Sequence, residues 1–160
     1  GHAQPLRMHQ RFAGSQQPRR LKQLFIDDLP ARRFGPALAM LCGESNILST
    51  TRPGELRDPF SFNARLFDLG VTLVLNPVHD YMVRPEMVEK RRVYSTGGRT
   101  VVSVWNRGKL DRHGRPIHEP RLPWTVFHDG ANRTAAVRQL PRPLPDRPDL
   151  QIGVLSLRDL

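Results

Sequence analysis

The chain predicts an α/β domain built on a mixed, largely parallel sheet with helices. Residues 71–75 (VTLVL) and 100–105 (TVVSVW) are continuous apolar runs of strand length, as expected of strands buried on both faces. The segment ahead of each run has helical spacing or helical composition. The resulting order of strand, helix, strand, helix, strand returns the chain to the same end of the sheet each time, which makes neighbouring strands parallel.

Residues 1–20 (GHAQPLRMHQRFAGSQQPRR) are polar, basic and without periodicity, and read as a disordered or extended arm. A single α/β domain is expected over 21–160. Residues 21–34 form a short mixed segment, and 37–42 (ALAMLC) the first buried strand. Residues 45–60 read as a loop, with Pro53-Gly54 and Asp58-Pro59 as turn signals. Phe62, Leu66, Phe67 and Leu69 then recur with the spacing of a helix face that Gly70 terminates.

The strand at 71–75 is expected to end at Asn76-Pro77. Residues 84–96 (RPEMVEKRRVYST) hold an early proline and good helix formers, with Gly97-Gly98 as the stop, and predict a helix before the strand at 100–105. Residues 124–127 and 135–137 are short strand candidates divided by His128-Asp129-Gly130. Residues 138–149 are a proline-rich connector, poor as helix or central strand, and 151–157 a closing strand.

Bulk composition narrows the class. With 160 residues, 38% of them hydrophobic, the chain suffices for one domain with a core or for part of a larger one. One cysteine excludes an intrachain disulfide framework and suggests a reducing compartment. There is no apolar run of membrane length and no signal-peptide core in the first residues, so a cytoplasmic protein without membrane contact is expected. The net charge of +10, from 22 arginines and 3 lysines against 15 acids, would suit nucleic acid or another anionic partner. The arginines are scattered from Arg7 to Arg158, however, and no nucleic-acid module is recognisable.

The chemistry-bearing feature is Cys42. An apolar run ends at this thiol, and Gly43 and Glu44 follow at once. A strand that enters a tight turn lifts the residue at its tip clear of the sheet, as a nucleophile requires. A buried structural cysteine has the same local sequence. His79 and Asp80 follow Asn76-Pro77 at the carboxyl end of a predicted parallel strand, where α/β proteins build their sites. They serve either as substrate-orienting groups or as caps of the next segment. Glu44 is either a site carboxylate or an acid that bonds backbone N–H groups near the turn.

These pieces, in this order, resemble the second half of the carbon–nitrogen hydrolase (nitrilase) superfamily. The matching stretches are Leu41-Cys42-Gly43-Glu44, then 69–77 (LGVTLVLNP), then 89–92 (EKRR) leading through 101–108 (VVSVWNRG), and finally 154–160 (VLSLRDL). The resemblance covers roughly 37–160 and implies part of an α-β-β-α sandwich. It also implies cysteine-dependent hydrolysis of an amide or nitrile through a thioester, without a cofactor.

By position in the family pattern, Cys42 would be the nucleophile and Gly43 the oxyanion N–H donor. Lys22 would be the family lysine, and Asn76, His79, Asp80 and Asn106 would lie around the substrate. The family's glutamate that precedes the cysteine has no counterpart here, since the first glutamate is Glu44. The chain is therefore expected to be a fragment of a longer enzyme, one piece of a split enzyme that a second copy or a partner chain completes, or a relative that keeps the scaffold and has lost its chemistry.

His113, His118, Asp111 and Glu119 do not make a metal motif, because Gly114, Arg115 and Pro116 break the spacing; they read as a surface loop. Trp105 and Trp124 read as core or interface residues. The rival class is a basic binding module without catalysis. Steep salt dependence would mark the module, and thiol-dependent turnover the enzyme.

Overall fold

A computed structural model describes residues 8–13, 18–52, 55–79, 84–105, 113–114, 122–141 and 151–160. Helix α1 (Arg19–Asp27) leads through a 3-10 turn (Leu29–Arg32) into strands β1 (Arg33–Phe34) and β2 (Ala37–Ala39). A second 3-10 turn (Cys42–Ile47) precedes the hairpin β3 (Ser49–Arg52) and β4 (Glu55–Arg57). Then come α2 (Phe62–Asp68), β5 (Leu73–Val78), α3 (Pro85–Tyr94), β6 (Thr100–Trp105) and β7 (Trp124–His128). The chain closes with β8 (Ala131–Asn132), a 3-10 turn, β9 (Arg138–Leu140) and β10 (Ile152–Val154).

The fold is mixed α/β. Six strands form one sheet in the order β1-β2-β5-β6-β7-β8. The pairs β2–β5 and β5–β6 are parallel, and β1–β2, β6–β7 and β7–β8 antiparallel. The two crossovers each step to the adjacent strand in the same direction, so a common hand places α2 and α3 on one face. Leu38, Val74, Val101 and Phe127 are cross-strand neighbours on that face. They share a core with Phe25 and Ile26 of α1, Phe62 and Leu66 of α2, and Tyr94 of α3. The rings of Phe12, Phe25, Phe62 and Tyr94 form a chain with centroids 5.6–5.7 Å apart.

The opposite face carries Leu73, Leu75 and Val102, each half-buried, and Val104, 52% exposed. The apolar runs at 71–75 and 100–105 are thus fully buried on one face and partly covered on the other.

Several expected boundaries shift for identifiable reasons. Strand β5 continues through Asn76-Pro77 to Val78. The Leu75 carbonyl accepts the Met40 N–H, so residues 75 and 77 turn their backbone groups toward β2, whose strand residues end at Ala39. The missing N–H of Pro77 therefore falls where no ladder partner stands. Residues 45–60, expected as a loop, contain the β3–β4 hairpin. The expected strand at 135–137 is instead a 3-10 turn, Thr134–Ala136. Asn132 Oδ1 accepts the Thr134 N–H and Thr134 Oγ1 accepts the Val126 N–H, local bonds that compete with an extended ladder.

The expected connector and closing strand also change: Arg138–Leu140 pairs with Ile152–Val154 in a separate two-stranded ribbon. A Cβ on Gly153 would lie 2.6 Å from Val137 and 3.1 Å from Trp124, so that ribbon packs on the indole through a glycine. The arm is extended where it is described. Phe12 is buried in the core, and helix α1 begins at Arg19.

Beneath the loop after β2, the Tyr94 hydroxyl donates to the Ser45 carbonyl at 2.5 Å, and the Asn76 amide donates to the Met40 carbonyl at 2.7 Å. Ser103 Oγ completes the set by donating to Asn76 Oδ1 at 3.2 Å. Tyr94→Phe leaves the Ser45 carbonyl without its donor in a dry core, and should cost about 1–2 kcal/mol in urea unfolding.

Candidate functional site

The strand expected over 37–42 ends at Ala39, and Cys42 follows it at the first position of a 3-10 turn that Glu44 holds, where it is half-buried. The turn is set by Glu44 and Leu41: the Glu44 N–H donates to the Leu41 carbonyl at 2.9 Å, and the Leu41 N–H donates to Glu44 Oε2 at 2.8 Å. The sulfur accepts the backbone N–H of His79 at 3.4 Å, which joins the ends of β2 and β5. Val78 and Trp105 pack beside it. From α3, the Arg91 guanidinium lies within electrostatic reach of Cys42; burial pushes its pKa down to about 10, and charge on the sulfur acts in the opposite direction.

The thiol opens on a cleft of about 750 Å3. Cys42 and Gly43 form one wall with Gln10, and Lys22 reaches in from α1. His79 lies at the end of β5, while Arg84, Glu86, Met87 and Lys90 come from α3 and its start. The cleft thus sits outside the carboxyl ends of parallel strands, where crossover connections diverge and leave a crevice. Gly43 is tightly packed: an added Cβ would lie 2.5 Å from Gln10 Nε2 and 2.7 Å from the Phe12 carbonyl oxygen. Its N–H donates to Gln10 Oε1 at a long 3.3 Å, a contact that an incoming substrate oxygen can replace.

Glu44 takes the second of its two sequence readings. It is 0% exposed. Oε2 accepts Arg32 Nη1 at 2.7 Å as well as the Leu41 N–H, and Oε1 accepts the Arg11 N–H at 2.8 Å. Arg32 in turn donates to the His9 carbonyl at 2.8 Å and lies 5.0 Å from the Phe25 ring centroid. Both carboxylate oxygens are therefore spent on holding the Cys42 turn and residues 9–11 together.

The structure brings Lys22, Cys42, Gly43 and His79 to one cleft. It does not bring Asn76 there; that side chain is buried in the sheet, 2% exposed, and supports the turn from below. Asp80 and Asn106 lie outside the described residues, as do Asp111, His118 and Glu119. Among the described residues, no group of three His, Cys, Asp or Glu side chains could hold a metal ion. No helix is long and apolar enough to cross a membrane, again among the described residues.

Sequence reasoning missed Lys90 and Glu86. Lys90 is 4% exposed, and its ammonium donates to Asn46 Oδ1 at 2.7 Å. Burial pushes its pKa down to about 8, and Lys22 and Arg84 push the same way against the pull of Glu86. Burial also lowers the pKa of Lys22. One signal was available: of only three lysines in an arginine-rich chain, two meet at this cleft. Compared with known proteins, the chain matches no family model, no curated protein and no solved structure.

Two measurements follow from this geometry. Glu44→Gln leaves the Arg32 guanidinium buried without its counter-charge, so unfolding in urea should show a loss of about 3–5 kcal/mol; a loss below about 1 kcal/mol would dismiss the pair as the tie. The second concerns pH. Lys90 loses its proton near 8 when folded and near 10.5 when unfolded, so between these values the unfolded chain holds more protons. Stability therefore rises with pH through that window. Burial raises the Tyr94 pKa above its ordinary 10, which reverses the slope at higher pH. Between pH 8 and 10 the denaturation midpoint of the wild type should rise relative to that of Lys90→Met, whose curve lacks this component.

Proposed function

We propose that this chain carries a cysteine-dependent hydrolytic site for non-peptide carbon–nitrogen bonds, of the carbon–nitrogen hydrolase kind. The single observation that carries the reading is the juxtaposition at Cys42. A thiol at the start of the turn after β2, a backbone N–H on the next residue and a buried ammonium share one cleft. Those are a nucleophile, an oxyanion donor and a cation.

In the proposed reaction Sγ attacks the substrate carbon, and the developing oxyanion takes the Gly43 N–H from Gln10 and lies near Lys22. The C–N bond then breaks. The nitrogen leaves as ammonia or an amine carrying the thiol's proton, and Cys42 is left as a thioester. Water adds to the acyl carbon, the acid departs, and the proton returns to sulfur. Glu86 is the carboxylate lining the cleft among the described residues, and it has the chemistry to carry that proton between sulfur, nitrogen and water. Glu44, with both oxygens engaged, fixes the turn.

The half-covered second face of the sheet, with Leu73, Leu75, Val102 and exposed Val104, supports a place for this sheet in a two-sheet sandwich. A second copy or a partner chain would then cover that face and complete the assembly.

The test is release of ammonia from small aliphatic amides and nitriles by the full chain. Cys42→Ala and Cys42→Ser should each reduce turnover at least 1,000-fold while the far-UV spectrum and melting temperature stay near those of the wild type. Retained turnover in Cys42→Ala would overturn the nucleophile assignment. Tight binding of nucleic acid that weakens steeply with salt and ignores Cys42 would favour the basic-module reading.

A further inference from the structure

The acyl-transfer reading uses one cation, and the cleft holds two buried ammoniums. Lys22 is 8% exposed and Lys90 4% exposed, and both line the wall shared with Cys42. Among the described residues neither has a carboxylate within ion-pair distance. Lys90 donates to the neutral amide oxygen of Asn46, and the Lys22 ammonium lies over the face of Phe12, 5.8 Å from the ring centroid. Glu86, the carboxylate of the same cleft, is joined instead to Arg84 at 3.3 Å.

Two like charges set close in a partly dry cleft repel each other and are poorly solvated. Such an arrangement is costly unless an anion compensates it. A neutral amide supplies one oxyanion, transiently and only at the reacting carbon. It leaves the second ammonium with only the distant pull of Glu86, whose carboxylate is joined to Arg84.

We propose, resting on the hydrolytic reading above, that the substrate is an amide bearing a carboxylate of its own, which pairs with Lys90 while Lys22 and the Gly43 N–H face the reacting carbonyl. Lys90 projects from α3 and Lys22 from α1, so the two cations approach the cleft from different elements and can serve two anionic positions of one molecule. Asn46, at the Lys90 ammonium, lies in the same turn as Cys42, which couples the position of the carboxylate to that of the nucleophile. A cleft of about 750 Å3 has room for a small dicarboxylic monoamide.

The experiment compares succinamate with butyramide, which match in length and differ in the carboxylate. Two readouts are taken on the full chain: protection of Cys42 from iodoacetamide, by intact mass, and ammonia release. Succinamate should protect at concentrations at least tenfold lower than butyramide does. Lys90→Met and Lys90→Gln should each remove at least 80% of that preference, the glutamine variant testing whether an uncharged donor to Asn46 suffices. Melting temperatures identify any variant that fails to fold.

Equal protection by the two compounds, or a preference that survives in both variants, overturns the carboxylate assignment. Preferential protection that depends on Lys90, without ammonia release, upholds the carboxylate site and overturns the hydrolytic reading. Equal hydrolysis of both compounds, lost in Cys42→Ala, upholds the nucleophile and overturns the carboxylate site.

Discussion

The buried pair of Arg32 and Glu44 is the constraint on which the site depends. A carboxylate with no exposure survives only where every oxygen is occupied, and here the partners come from three separate stretches of chain. The Leu41 N–H belongs to the Cys42 turn, the Arg11 N–H to the amino-terminal segment, and the Arg32 guanidinium to the 3-10 turn after α1. Arg32 then reaches the His9 carbonyl, so the segment is gripped at both ends. With residues 9–11 in place, Gln10 meets Gly43 and Phe12 enters the aromatic chain. One ion pair thus joins a wall of the cleft to the core.

The same logic explains why Gly43 has no side chain. The segment that Glu44 pulls inward passes so close that a Cβ would collide with Phe12, Ala13 and Gln10. The Gly43 N–H donates to Gln10 Oε1 of that segment, and both residues line the cleft beside the thiol. Below, Asn76 bridges the Met40 carbonyl and Ser103 across the parallel strands, so the sheet ends under the cysteine in a satisfied polar layer. A turn fixed from three sides can hold a nucleophile at one position, the condition for effective acyl transfer.

Much of the fold was legible in the sequence because its signals are local. The apolar runs of β5 and β6, the spacing of Phe62 and Leu66, and the proline and glycines that bound α3 depend only on near neighbours. That the chain turns at Cys42-Gly43 was legible for the same reason, though the strand ends at Ala39, before the thiol, because Glu44 folds residues 42–47 into a 3-10 turn. The role of Glu44 was not, because its partner Arg32 lies 12 residues away and Arg11 lies 33, and nothing in the spacing distinguishes those arginines from the other twenty. Lys90 was hidden differently. In a helix with two following arginines it reads as surface charge, and only the packing of α3 over the turn buries it against Asn46. Pro77 misled for a third reason: proline stops a strand only where a ladder partner needs its N–H, and β2 has already ended there.

The chain accepts costs at this cleft that folding alone would not favour. Lys22 and Lys90 are both held with proton affinity below their ordinary values by burial, so each charge opposes folding at neutral pH. Arg99 shows the structural alternative. It too is buried, but its guanidinium is capped by the Val71 and Tyr94 carbonyls and by Asn63, away from the cleft of Cys42. The difference separates a cation that holds the core together from cations left facing a cavity. On the proposal above, charges of the second kind await an anion, because a desolvated cation without a close counter-charge gains most when an anionic partner arrives. The concentration of such groups around one thiol, rather than the thiol itself, sets this cleft apart from the rest of an arginine-rich surface.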